Sequence, residues 1–203
     1  MYKTIHLKQP NFAEQIRFYT KEEHARLEKK LVGIIRHIRT VDQYVAFLEM
    51  FYAFYRETEQ KMEQYLTTDR IPDIQQRRKA AALLQDIQAL GPFKKPGRYP
   101  AAAPSVNSYP QALGAAYVLE GSTLGGVHIA KMIREQVPDL PSGKGFSFFE
   151  SYGPAVQEMW KKFHTYLNRL TDAAEQQEAI TAARDTFLTF NHWANRYERV
   201  FQI

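Results

Sequence analysis

The chain of 203 residues contains no cysteine. Disulfides and thiolate metal sites are thereby excluded, and any metal or cofactor iron has to be held by His, carboxylate or another non-thiolate group. No run of about 18 apolar residues occurs, so no transmembrane helix and no membrane partner are expected. The opening "MYKTIHLKQPNFAEQ" has no apolar core of a secretory signal, and with the missing cysteine this leads to an expected cytoplasmic location. No segment alternates apolar and polar residues long enough to demand a β-strand. HExxH and Glu-x-x-His patterns are missing as well, which gives no support to a zinc protease or a di-iron carboxylate bundle. Basic residues lead acidic ones by a net charge of +5, yet they are dispersed. The longest clusters are "QRRK" at 76–79 and "EKK" at 28–30, too short for a nucleic-acid surface, so a small acidic ligand suits the charge better.

What is present is helical periodicity. Apolar residues make up 44% and charged residues 24% of the chain, an ordinary globular composition of a size that supports one substantial core. Ile16, Leu27, Leu31, Ile34, Ile35 and Ile38 recur at helical spacing, predicting a helix from Phe12 to about Arg39. Asn11 is its expected N-cap, and Thr20 with Glu23 makes an internal capping-box pattern. A second helix runs from Asp42 to about Leu66 with an aromatic face of Tyr44, Phe47, Phe51, Tyr52, Phe54 and Tyr55. A third spans Pro72 to about Leu90. Residues 91–110 carry Pro92, Pro96, Pro100, Pro104 and Pro110, half of the ten prolines, which forbids regular helix there. An interrupted helix follows from Gln111 to Gln136, then one near Pro154–Leu170 and a last one near Ala174–Phe201. The expectation is one all-α domain of six to seven helices.

Two constellations stand out. In "RFYTKEEHARLEKKL", Arg17, Lys21, His24 and Glu28 stand at i, i+4, i+7 and i+11. At ~100° per residue they share a strip of roughly 60° on one helix face. A neutral imidazole at the edge of an apolar stripe can ligate a cofactor iron, with Glu28 one turn on to hold its other nitrogen. Arg17 and Lys21 could pair with carboxylates of the same ligand. The same residues at the same spacing also occur on solvated helix faces. The other histidines, His6, His37, His128, His164 and His192, stand singly. The second constellation is "YVLEGSTLGGVHIAKMI" (117–133), where Gly121, Gly125 and Gly126 interrupt a helical pattern, each costing roughly 1 kcal/mol relative to Ala. They permit a bend and let a flat ligand approach the backbone. A tight helix crossing, or a loop between two shorter helices, would use the same letters.

Taken together, "TKEEHARLE" and, roughly a hundred residues later, "LEGSTLGG" resemble the haem oxygenase family. More narrowly, they resemble its bacterial branch associated with phytochromes. The resemblance spans the chain in length, helix order and aromatic second helix. It implies a single haem-oxygenase-like all-α domain over residues 1–203, with haem between a proximal helix and a glycine-kinked distal helix. It implies His24 as the iron ligand, Glu28 beside it, and Arg17 and Lys21 at the haem propionates. Gly121, Gly125 and Gly126 match the distal glycines beneath which haem and dioxygen fit. In "WKKFHTYL", Lys161, Lys162 or His164 would supply further propionate contacts, and Phe187 and Phe190 resemble the aromatics that pack the distal pocket. The implied reaction cleaves haem, at once cofactor and substrate, to biliverdin, carbon monoxide and ferrous iron. It uses dioxygen and electrons from an external reductase, with a phytochrome as one acceptor of the biliverdin.

One position departs from the animal enzymes, which have an Asp after the first distal glycine to organise proton-donating water. Here that residue is Ser122, whose hydroxyl exchanges hydrogen bonds but brings no charge and is a far weaker acid. The bacterial branch also tends to lack the Asp. Two alternatives therefore stand beside the oxygenase: a haem-binding carrier or sensor without turnover, and a helical module that binds no haem.

Overall fold

The most completely buried helix lies in the middle of the chain. Its burial explains the arrangement of the rest. The computed structural model describes residues 10–77, 80–91 and 103–201, with side chains through Arg196. His6, Arg78, Lys79 and most of the proline-rich stretch fall outside these residues. Within them the chain forms α1 (Phe12–Tyr19), α2 (Lys21–Ile35), α3 (Val41–Met62), α4 (Ala80–Leu90), α5 (Tyr109–Gly121), α6 (Gly126–Gln136), α7 (Ser147–Glu150), α8 (Val156–Leu167) and α9 (Ala173–Phe201). Short 3-10 turns cover Ile74–Gln76, Ser122–Leu124 and Gly153–Ala155.

In α5, Pro110 and every residue from Ala112 to Glu120 are buried. A helix apolar all round has to be wrapped by others, and α5 packs on α3, α8 and, most extensively, the long α9. The α5–α9 crossing is close because Gly114 has no side chain: a Cβ there would stand 2.1 Å from the Ala179 carbonyl oxygen. The aromatic face of α3 builds the core's centre. Phe54 stacks on Phe190 of α9 at 4.3 Å, and Phe51 meets Phe148 and Phe149 of α7 edge-on. The buried Trp193 Nε1 donates to the Met50 carbonyl, tying α9 to α3.

The elements begin where capping chemistry puts them. Asn11 and Glu14 form a reciprocal capping box at α1, and Thr40 with Gln43 does the same for α3. Ser108 caps α5, with Pro110 in the first turn where it lacks only an orphan N–H. Three expectations need correction. The helix predicted from Phe12 to Arg39 is two helices broken at Thr20. That residue does not cap α2; its buried hydroxyl donates back to the Ile16 carbonyl at 2.7 Å. The helix predicted over 72–90 is not continuous: Ile74–Gln76 is a 3-10 turn and Arg77 is extended, sending its guanidinium into the interior, where it pairs with Asp73, and the described α-helix is Ala80–Leu90. The fold thus has more, shorter helices than periodicity alone suggests. Among the described residues no helix is long and apolar enough to cross a membrane.

Candidate functional site

The site is built on two neighbouring elements, α2 and the turn between α5 and α6, since α2 packs along α9 and also meets α6. On α2 the inward residues are Glu23, Leu27, Ile34 and Ile35. His24 follows Glu23 by one position, about 100° further round the helix, and is exposed. Its ring meets Phe187 of α9 edge-on at 5.5 Å. By its spacing from Thr20, Glu23 reads as a capping residue. It is instead buried, and its Oε1 accepts from Arg184 Nε at 2.7 Å and Nη2 at 2.6 Å. Burial alone would raise the Glu23 carboxyl, but the hydrogen bond and charge of Arg184 outweigh it and hold the group below the usual carboxylate range. This pair locks α2 against α9 beside the imidazole. Glu28 is exposed one turn on and lines an open depression of about 560 Å³ with Ala25, Lys29, Val32, Gly33 and Arg36.

The glycine stretch bends, and its three glycines face three different surroundings. Beyond Gly121 the helix tightens into the 3-10 turn Ser122–Leu124 and restarts at Gly126. A Cβ on Gly121 would touch the Trp160 ring of α8 at 3.4 Å, and one on Gly126 would lie 2.1 Å from the Phe149 carbonyl oxygen of α7. At Gly125 the nearest atom would be 3.9 Å away, and the residue is exposed. Gly126 thus packs inward while Gly125 presents bare backbone. Next to it stand Leu124 and Val127, 36% and 55% exposed, two of only four large hydrophobics so placed among the described residues. Exposed apolar residues beside bare backbone in a turn are the expected lining of a ligand site.

Under the bend lies a hydrogen-bond chain that the sequence did not reveal. Ser122 Oγ donates to the Leu119 carbonyl at 2.7 Å, and Tyr55 Oη sits 2.6 Å from the same Oγ. With the serine proton committed to Leu119, the tyrosine hydroxyl is the donor to Ser122. Phe190, in turn, packs edge-on against Tyr55 and face to face with Phe54, so it supports the tyrosine from within the core.

The remaining sequence candidates gather at one end. Arg17 and Lys21 are exposed at the α1–α2 break, where Tyr117 of α5 lies near Thr20. The half-buried His164 of α8 lies edge-on to Trp160 at 4.4 Å. Burial first, and then the nearby positive charge of Arg17, hold its pKa below the ordinary histidine value. Its Nε2 is buried and has no hydrogen-bond partner among the described residues. Lys161 is exposed, whereas Lys162 reaches away to Asp73 at 3.2 Å. Nothing local in the sequence marks Trp160 or Tyr55 as a site residue. Both act through contacts that only the fold creates.

The profile of the haem oxygenase family matches residues 10–196. The chain belongs to the haem oxygenase family. A haem oxygenase from Xanthomonas campestris pv. campestris (strain 8004) is 31% identical over 152 residues, 74% of this chain and 87% of that protein. The haem oxygenase of Leptospira interrogans superposes with a TM-score of 0.75 at 23% identity, covering 92% of this chain and 100% of the other. The NO- and CO-bound enzyme of Neisseria meningitidis gives 0.78 at 22%, with 92% of each chain covered. Haem oxygenase-1 of Synechocystis sp. PCC6803, in complex with haem, gives 0.72 at 18%, with 95% of each covered. At these identities the three structures speak to the fold, and the fold is that of the haem oxygenases. The family makes haem the substrate and the protein an enzyme.

Proposed function

We propose that this haem oxygenase holds its haem between α2 and the turn at 121–126, with His24 as the iron ligand, and opens it to biliverdin, carbon monoxide and ferrous iron. The observation that carries the reading is the pairing of an exposed, aromatic-backed imidazole on α2 with a bare-backbone turn flanked by exposed Leu124 and Val127. The residues fit a flat, largely apolar dianion. Gly125 leaves the space a Cβ would fill, and the cations Arg17 and Lys21 stand with the orphaned Nε2 of His164 at one end. Of the three α8 candidates for the propionates, His164 is favoured, because Lys162 is engaged with Asp73 and Lys161 is out in solvent.

When bound, the haem supplies the iron that activates dioxygen and the macrocycle that is consumed. The protein's own part is positioning and proton supply. His24 binds, and Glu28 orients the imidazole by accepting from its other nitrogen. Arg17, Lys21 and His164 fix the rotation of the ring by its carboxylates, and so choose which edge lies under the turn. Phe187 supports the imidazole, and Phe190 supports Tyr55. Gly121 and Gly125 let the backbone come close. Ser122 Oγ, with its proton held by Leu119 and a proton received from Tyr55, accepts a hydrogen bond from water. It donates in its own right only by swinging off Leu119, with Tyr55 behind it to replace the proton. An uncharged relay of this kind stands where the animal enzymes use a carboxylate.

The finer parts of the proposal follow from chemistry and motif. The electrons come from an external reductase, since no side chain of this protein can supply them, and a cytoplasmic setting provides one. The "LEGSTLGG" motif and the serine favour the phytochrome-associated bacterial branch, with a phytochrome as acceptor of the biliverdin. The test is to mix the protein with one equivalent of hemin and then add ascorbate in air. A Soret band that His24→Ala removes, followed by its loss and a broad red absorption, is expected. A stable Soret complex that never converts would make the protein a carrier, and no Soret shift would refute the site.

A further inference from the structure

Behind the turn, on the protein side, lies a cluster of charges that the haem reading does not use. Glu120 is the residue immediately before Gly121 and is buried, 6% exposed. Its Oε2 accepts from Arg77 Nη1 at 2.6 Å, and the Tyr152 hydroxyl lies 3.1 and 3.2 Å from its two oxygens. Arg77 Nη2 also donates to Asp73 Oδ2 at 3.1 Å. Asp73 is held in turn by the Tyr166 hydroxyl at 2.8 Å and Lys162 Nζ at 3.2 Å. The guanidinium lies over the rings of Phe163 and Tyr166, 5.1 and 5.5 Å from their centroids. Two carboxylates and two cations thus balance, drawn from the segment after α3, the end of α5 and α8, with the Tyr152 hydroxyl added from the turn before α8.

We infer that Arg77 and Glu120 are positioning residues for the distal turn, holding the end of α5 so that Ser122 stays on Tyr55 and Gly125 stays at the cleft. The inference rests on the haem oxygenase reading for what the turn does, but not for how it is held. Burying paired ions seldom stabilises a fold more than apolar residues of the same volume, so their use here is explained by geometry rather than by stability. The geometry needs explaining. Three glycines within six residues leave the backbone of the turn with little steric definition. One residue of rotation at the end of α5, about 100°, would carry Ser122 away from Tyr55. On the far side the turn is pinned by Gly126 against the Phe149 carbonyl, with α7 itself capped by Asp86 through the Ser147 and Phe148 amides at 2.9 and 2.8 Å. On the near side, the anchor is Glu120. Its carboxylate is fixed by Arg77 and Tyr152, while its carbonyl accepts from Thr123 Oγ1 at 2.7 Å, inside the 3-10 turn.

The deciding variant is Arg77→Met with Glu120→Leu, which removes one charge of each sign and leaves Asp73 paired with Lys162. Amide hydrogen exchange is read at 121–126 in the haem-free protein, with α3 amides as internal reference, and turnover of bound hemin is read separately from the Soret titration. We expect a folded protein, hemin bound with a wild-type Soret band, exchange in the turn faster by about tenfold, and turnover slower by a similar factor. Unchanged exchange in the folded variant overturns the inference whether or not hemin binds. A wild-type protein with no Soret band would instead overturn the haem reading and leave exchange to decide this one. Should the double variant not fold, Tyr152→Phe removes only the hydroxyl on Glu120, and faster exchange confined to the turn is again required.

Discussion

Adjacent glycines with opposite surroundings give the sharpest prediction. At Gly126 a methyl group would have to stand 2.1 Å from a backbone oxygen and 2.9 Å from its carbon, where real contacts stay above 3.0 Å. No rotamer change relieves this, because the obstacle is the backbone of α7, held in place by Asp86. Gly126→Ala therefore forces α6 and α7 apart by about 0.9 Å. Overpacking of this kind costs about 1–3 kcal/mol. For a chain of this length each kcal/mol is worth about 2–4 °C, so the melting temperature should fall by about 2–12 °C. Gly125 has φ −91° and ψ −10°, which any L-residue adopts, and nothing within 3.8 Å of the added carbon. Gly125→Ala should therefore stabilise the haem-free protein by about 0.4–1 kcal/mol, through a less disordered unfolded chain, and raise the melting temperature by about 1–4 °C. In the proposed site its methyl would occupy space meant for haem, so hemin affinity or turnover should drop. Calorimetry of the haem-free variants and Soret titration read the two effects separately. Destabilisation of both proteins to the same degree, or a Gly125→Ala variant that binds and converts hemin like the parent, would refute this division of roles.

Other changes probe the remaining walls. Tyr55→Phe deletes the donor to Ser122 and should cost about 0.5–1.5 kcal/mol of stability; single-turnover conversion in air should slow while the Soret titration keeps its midpoint. His164→Leu should weaken hemin binding more than Lys162→Met, measured by competition for hemin, if the orphaned Nε2 faces the propionates. Stability should also depend on pH in a definite direction. Glu23 has a lowered pKa in the folded protein, so its contribution is complete above the ordinary carboxylate value and is lost as pH falls through the depressed folded value. Denaturant titrations below neutral pH should show that loss, and Glu23→Gln should flatten the dependence. His164, also lowered, adds a loss that begins higher, as pH drops below about 6.5 and the unfolded chain takes up a proton that the folded one refuses.

What could be read from the sequence was local. Asn11 as a cap, the aromatic face of α3, the late helices and the interruption at 121–126 all follow from spacing and side-chain chemistry within a few residues. What could not be read was paired across the chain. Thr20 and Glu23 look like a capping box, yet Glu23 answers to Arg184, 161 positions away. Arg77 sits in a stretch that counts as helical by composition, but its partner Glu120 lies 43 residues on and pulls the backbone out of the helix. Tyr55 is one aromatic among many on α3 until Ser122, 67 residues later, comes to rest on its hydroxyl. The glycines mislead in another way. The same letter serves three environments, and only the positions of Trp160 and Phe149 tell them apart.

A common construction underlies both walls of the proposed site. His24 is preceded by Glu23, and Gly121 by Glu120; each acid is 6% exposed and ion-paired to an arginine from a distant segment. Consecutive residues on a helix differ by about 100° in direction. An acid anchored inward therefore fixes how the next residue is aimed at the edge of the helix, without placing any extra atom in the cleft. Apolar anchors could supply the same burial but would tolerate sliding and rotation, because dispersion contacts have little directionality. A bidentate or shared guanidinium does not. In the proposed site, the two elements whose aim matters most, the His24 imidazole and the turn at 121–126, are thus set by directional bonds on the side of each helix that faces away from the ligand.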